Sequence, residues 1–277
     1  MTFALGVFVA SLDGRRPECP GQVQSEVRRE QSQWEVMLSF LNRDLRKLDR
    51  QSKDAFRDAV DSVTGGIDPE LTPTLIPRVF RLVSNTTGQH HYLLVEEANS
   101  MITPGTSFLR IVVFDFDGRV LNAKTASSYR ELFRRVHVRK VANVPGDVLI
   151  VETTYEPYAG AQTRQFYALV ENEIRLVYVQ LNGRFDPTGH GIVARMQRSV
   201  EDWERALNSD DFVESMSALL WLNANHWTGA PMYYDEREAE KAENLLARKD
   251  VRSRLRKLKQ SRDPWMKNAT RSLLDTL

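Results

Sequence analysis

The chain of 277 residues is poor in the side chains that build covalent or metal-held scaffolds: its single cysteine, Cys19, can close no internal disulfide and supply no cysteine-rich zinc site. No apolar run approaches the roughly 20 residues a helix needs to cross a bilayer, which excludes a polytopic helical membrane protein. The 14 glycines and 11 prolines are too few for collagen-like or low-complexity sequence. Catalytic signatures are equally scarce. The histidines, His90, His91, His137, His190 and His226, have no metal-ligand spacing, and no G-x-S-x-G elbow or Cys–His constellation occurs. Gly189-His190-Gly191 lacks the strand-to-helix setting of a phosphate loop.

Apolar residues make up 42% of the chain, which excludes a mostly disordered protein, and the length fits one large domain or two modest ones. A net charge of +1 hides an uneven distribution. Residues 200–243 hold 3 basic and 11 acidic side chains, residues 244–277 hold 10 and 3, and the last third is therefore an internal dipole. At the amino terminus, FALGVFVASL followed by DGRRPECPGQ resembles the apolar region of a secretory signal ahead of a loose mature start. Val9 and Ser11 would supply the small residues of a cleavage site, yet no Lys or Arg precedes the run. A short buried strand is the alternative, so a cytoplasmic and an exported location both stay open. The sequons at Asn85 and Asn268 are too common to decide between them.

Four regions follow along the chain. Residues 1–22 are the apolar start and a loose segment. Residues 23–77 are helical: Trp34, Leu38, Leu41, Leu45 and Leu48 fall on one face, Ser52 can cap a second helix carrying Phe56, Ala59 and Val60, and Gly65 with Gly66 stop it. Residues 78–199 alternate as strands, Val79 to Ser84, His91 to Glu97, Phe108 to Asp115, Arg119 to Ala123, Phe133 to Val141, Asp147 to Thr154, Arg164 to Val170, Ile174 to Leu181 and Ile192 to Gln197. The connections Glu171-Asn172-Glu173 and Asp117-Gly118 are too short for a parallel crossover, so the strands they join are antiparallel, the second through a two-residue turn. Ser127 to Arg135 reads as a possible helix. One twisted antiparallel sheet with helices on one face is expected.

Residues 200–277 are helical again. Ser199 or Asp202 can cap a first helix and Ser209 or Asp210 a second, residues 235–259 read as one long helix, and Asp263-Pro264 opens a last one. LKQSRDPWMKNATRSLLDTL, with Leu258, Asp263, Pro264, Met266, Lys267, Ala269 and Leu273, resembles a HEAT-type helical repeat, and ESMSALLWLNANHW resembles the second helix of a preceding unit. Over residues 211–277 the resemblance implies a protein-binding or scaffolding surface rather than catalysis.

Four groups of residues are candidates for function. IVVFDFDG is similar to the first motif of haloacid dehalogenase-type phosphatases, which implies Asp115 as nucleophile, Asp117 as acid and base, and Mg²⁺ between them. That family needs a parallel sheet, whereas the strands here read antiparallel and an Asp-Gly hairpin explains the motif. The basic run Arg248 to Arg262 could bind a nucleic-acid backbone or another anion, but acids open the same helix, as the macrodipole favours. Arg135, His137 and Arg139 alternate along a strand and line one face, where an anion or acidic partner could meet them. Trp221, His226, Trp227, Tyr233 and Tyr234 could form a binding rim or cover the core.

The reading reached is an α+β protein: a central, mainly antiparallel sheet, an N-terminal helical segment and a C-terminal, HEAT-like helical module. The expected function is non-catalytic, a binding or scaffold protein with a protein partner rather than a nucleic acid, meeting it through the helical end and the exposed sheet face. The expected site residues are Trp221, Trp227, Tyr233, Tyr234, Arg135, His137 and Arg139. No metal or cofactor is expected, Mg²⁺ belonging only to the phosphatase alternative.

Overall fold

The β strands are organised by tight turns whose backbone needs are written in the sequence. The computed structural model describes residues 33–41, 43, 47–64, 71–73, 78–100, 106–129, 132–142, 144–155, 161–183, 187–226, 236–275 and 277. Strands β8 (Ala161–Val170) and β9 (Glu173–Asn182) are joined by Glu171 and Asn172 alone, both in the left-handed region at φ 50° and 67°. That is a two-residue turn of the type matched to strand twist, and Glu173 belongs to the strand. Between β4 (Thr106–Phe114) and β5 (Val120–Tyr129) the turn is longer than two residues. The Asp115 carboxylate accepts from the amides of Asp117 (2.9 Å) and Arg119 (2.8 Å) and Gly118 takes φ 87°, giving a three-residue loop with a glycine bulge. A Cβ at Gly118 would sit 2.6 Å from the Trp34 ring, so this turn is also a packing point.

Among the described residues ten strands form two antiparallel sheets where one was expected. In the first, β1 (Leu71–Pro73) and β2 (Arg78–Val83) both pair with β3 (His90–Ser100), and β4 and β5 follow. The second runs in the order β10 (Ile192–Arg195), β9, β8, β7 (Val148–Tyr155), β6 (Leu132–Arg139). The helix expected over Ser127 to Arg135 is absent: Ser127 and Ser128 pair with Phe108 and Ser107, and Arg135 pairs with Glu152. Ladder pairing to distant strands overrides a local helical preference.

Helix α1 (residues 33–39) and helix α2 (Arg50–Thr64) cover one face of the first sheet. The residues buried deepest there are Trp34, Met37 and Phe40 with Phe56, Ala59 and Val60, against Leu94, Val112 and Phe114. Leu38, Leu41 and Leu48 are only partly buried, and Leu45 lies outside the described residues. The buried stripe is thus broader than a heptad seam, as a helix lying on a sheet requires. Asp49, not Ser52, caps α2: its carboxylate accepts from the Ser52 amide at 2.8 Å, which holds the group below the usual carboxylate range.

The opposite face of the first sheet shares one hydrophobic cluster with the second sheet and the C-terminal helices, through Leu93, Ile111, Leu149, Tyr167, Leu181, Trp203, Trp221 and Leu255. Those helices are α3 (Val200–Asn208), α4 (Phe212–Asn225), α5 (Glu236–Ala247), α6 (Lys249–Leu258) and α7 (Pro264–Leu274). Ser199 caps α3, and Asp263 caps α7 with Pro264 in its first turn. Asp211, rather than Ser209 or Asp210, caps α4. Ser215 to Asn225 are all buried, so α4 is the central helix of the module. The expected helix over residues 235–259 is two, broken at Arg248, whose extended backbone (φ −75°, ψ 135°) serves as the N-cap of α6. Among the described residues no helix is long and apolar enough to cross a membrane.

Candidate binding surface

Alternation along the second sheet sorts its side chains into two faces. Val136, Leu149, Val151, Leu169, Ile174, Leu176, Val179, Leu181, Ile192 and Ala194 point into the shared core. The residues between them point outward, where no described helix packs. Arg135, His137 and Arg139 stand on β6, an edge strand of the sheet. The pairings His137 to Ile150, Ile150 to Phe166, Phe166 to Tyr178 and Tyr178 to Arg195 draw one row straight across all five strands. A parallel row reads Arg135, Glu152, Arg164, Gln180 and Val193. Ile150, Val148 and Ala168 are buried in the middle of this face, Phe166 and Tyr178 are half-buried, and Arg135, Arg139, Arg164 and Arg195 are exposed.

A bulge makes the row possible. Tyr167 pairs with Leu176, but Phe166 pairs with Tyr178, leaving Val177 as the extra residue. The phase of β9 switches there: Ile174 and Leu176 point inward before it, Val179 and Leu181 after it, and Tyr178 is turned outward beside Arg195.

The outward face is rich in arginines, some paired and some not. Arg164 pairs with Glu152 at 3.1 Å and Arg175 with Glu173 at 3.3 Å. Among the described residues Arg135, Arg139 and Arg195 form no ion pair. Burial and the nearby Arg139 guanidinium hold the His137 imidazole below its ordinary pKa, with Arg135 and Arg164 adding to the effect and Glu152 opposing it. His137 is therefore neutral at neutral pH, able to donate from one ring nitrogen and accept at the other.

Arg195 also lines a cleft of about 840 Å³ bordered by Gln197, Arg198, Ser199 and residues of α3, α4 and α5. Its charged walls are largely paired: Arg198 with Glu214 at 2.6 Å, Arg205 with Asp202 at 2.9 Å, and Lys241 with Glu238 at 2.6 Å. Nearby, Trp203 and Trp221 stack at 4.9 Å, the Arg198 guanidinium lies 5.0 Å from the Trp203 ring, and the Trp221 indole donates to Glu238 at 2.9 Å. The tryptophan pair gives the base of α3 and α4 a rigid mount.

The expected site residues separate in the structure. Arg135, His137 and Arg139 share the outward face as their alternation requires. Trp221 is fully buried and forms no binding rim, while Trp227, Tyr233 and Tyr234 lie outside the described residues. Asp115 and Asp117 sit on an antiparallel hairpin with the Asp115 carboxylate committed to turn amides, so they do not fit a haloacid dehalogenase site or its Mg²⁺. Among the described residues no three His, Cys, Asp or Glu side chains gather as a metal site.

In the basic run, Arg248 grips Glu204 with two bonds of 2.7 Å, and Arg252 donates to the Leu246 carbonyl at 2.8 Å. Arg254 donates to the Leu207 carbonyl at 3.0 Å and the Ser209 carbonyl at 2.8 Å. Arg252 and Arg254 thereby close the C-terminal ends of α5 and α3. Phe166, Tyr178, Arg164 and Arg195 were not singled out from the sequence. The alternation of QTRQFYALV and of IVAR points to Arg164 and Arg195, whereas Phe166 and Tyr178 carry no such signal.

No protein-family model matches the chain, and no curated protein or solved structure is significantly similar to it.

Proposed function

We propose that this chain is a non-catalytic binding or scaffold protein that holds a protein partner on the outward face of its second sheet, with the C-terminal helices as buttress and secondary contact. The observation that carries the reading is a sheet face no described helix covers, with Arg135 and Arg139 beside His137 at one edge, Arg195 at the other, none with an ion partner among the described residues, and the Phe166 and Tyr178 rings between. A sheet face with exposed arginines around half-buried aromatic rings has the composition of an interface core with a charged rim. The alternative basic surface, residues 248–262, is the weaker candidate because three of its arginines bind carbonyls and carboxylates of neighbouring helices.

Quantitative affinity capture with the intact chain tests this. Deleting residues 200–277 is unsuitable, since those helices share the core of both sheets. The paired substitution Arg135→Glu/Arg139→Glu is expected to strip the retained partners, and Lys249→Glu/Lys257→Glu, on exposed positions of α6, to leave them. The opposite pattern would move the surface to the helical module and sink the proposal.

A further inference from the structure

We infer that the occupant of this face is an extended peptide segment of about six residues, acidic at both ends and apolar between, lying across the strands from β6 to β10. The inference rests on the proposed use of the sheet face and adds the chemistry of what binds there. It starts from the row His137, Ile150, Phe166, Tyr178, Arg195. Five strands at about 4.8 Å spacing make that row about 19 Å long, the span of about six extended residues.

The two ends of the row are positive and the middle is not. At the β6 end Arg135 and Arg139 flank His137, at the β10 end stands Arg195, and none of the three arginines has an ion partner among the described residues. Guanidinium groups match carboxylates in a planar, two-bond geometry. In the centre, the half-buried rings of Phe166 and Tyr178 offer apolar surface over the buried Ile150, and the carboxylate of Glu152 lies in the adjoining row beside Arg164. A ligand complementary to this pattern carries negative charge at its ends and hydrocarbon in its middle.

A peptide can alternate in this way. A nucleic-acid strand carries a charge on every residue, so it would set phosphates over the uncharged centre and near Glu152 and Glu173. A net charge of +1 also supplies no long-range field to draw in a polyanion.

The test is fluorescence anisotropy of the full chain with a dye-labelled hexapeptide of two glutamates, leucine, phenylalanine and two glutamates. Saturable binding is expected, weakening about tenfold between about 50 and about 300 mM salt. Arg135→Glu/Arg139→Glu and Arg195→Glu, at opposite ends of the row, are each expected to weaken it about tenfold or more, and Phe166→Ala to weaken it through the centre. The same peptide with glutamine for glutamate should not bind. Unchanged thermal unfolding of the variants separates loss of contact from loss of fold. Binding indifferent to either end of the row overturns the inference. Hexathymidylate binding more tightly than the peptide, and lost in the same variants, overturns the peptide class and leaves the face as the site. If neither probe binds while affinity capture still depends on Arg135 and Arg139, the inference fails and the proposed function stands. If capture is indifferent too, both fail.

Discussion

Two basic regions of this protein are built differently, one as a run along a helix and one as a face of a sheet. In the run from Arg248 to Arg262 the cations are dense along one stretch of chain, yet Arg248, Arg252 and Arg254 are consumed by Glu204, Asp250 and three backbone carbonyls of α3 and α5 and the loop after α3. On the second sheet the cations are scattered over residues 135–195, and the fold gathers them on one face, three of them without an ion partner among the described residues. A helix turns successive side chains through about 100°, so some of any basic run must face a neighbour. A strand sends every second side chain the same way, so basic residues at i, i+2 and i+4 stay together. Which cations are committed is set by the face the backbone presents.

The comparison breaks most easily at another basic residue, Arg110, half-buried at the end of α2. It reaches Glu96 at 3.5 Å and the Thr64 carbonyl at 3.4 Å, while the other Glu96 oxygen has no hydrogen-bond partner among the described residues. Burial pushes the Glu96 carboxyl up to about 7, with Asp61 raising it further and Arg110 pulling against both. The folded value lies above the unfolded one, so the native state binds the proton more tightly. Stability from this group is full below about pH 4.5, declines as the pH rises to about 7, and is lost above it. Glu96→Gln is therefore expected to leave stability unchanged near pH 4.5 and to raise it above pH 7, by up to about 3 kcal/mol. Urea unfolding at both pH values checks this. A loss of stability above pH 7 would mean that the ion pair outweighs the burial of its charges.

Next in size is Arg254→Ala, which removes both bonds to the end of α3 and leaves the carbonyls of Leu207 and Ser209 to other donors. About 2 kcal/mol of destabilisation is expected from two charge-assisted bonds at a partly buried site. The neighbouring Arg256, exposed on the same helix, should be replaceable by alanine within about 0.5 kcal/mol. Equal effects at the two positions would erase the distinction between committed and free arginines in this run.

Much of the fold was legible in the sequence, because β alternation and turn residues act locally. The nine strands read from residue pattern are all present, and the Ser199 and Asp263 caps sit where their side chains reach a third-residue amide. What stayed hidden depends on partners far along the chain. Ser127 and Ser128 carry no strand signal, and only their pairing with Ser107 and Phe108 makes them one. The break at Arg248 is favoured by two bonds to Glu204, which lies 44 residues away. The outward face was half legible. Arg135, His137 and Arg139 follow from simple alternation. Counting back from the Glu171-Asn172 turn, though, pairs Phe166 with Val177, and only the bulge brings Tyr178 and Arg195 into its row.

The smallest effect expected is at the stripe itself. Arg139→Ala removes an exposed guanidinium with no ion partner among the described residues, so stability should change by less than about 0.5 kcal/mol. The charge is still felt locally. After burial, Arg139 is the strongest influence holding the His137 imidazole below its ordinary value, and Arg135 and Arg164 act in the same direction. Taking away Arg139 should move the His137 titration upward, toward the value of an unperturbed imidazole, as followed by NMR of the ring protons. Arg256→Ala, on a helix outside this sheet, should leave it where it was. If Arg139→Ala leaves the titration in place, its guanidinium does not share a face with His137, and the cations of β6 are then dispersed rather than assembled.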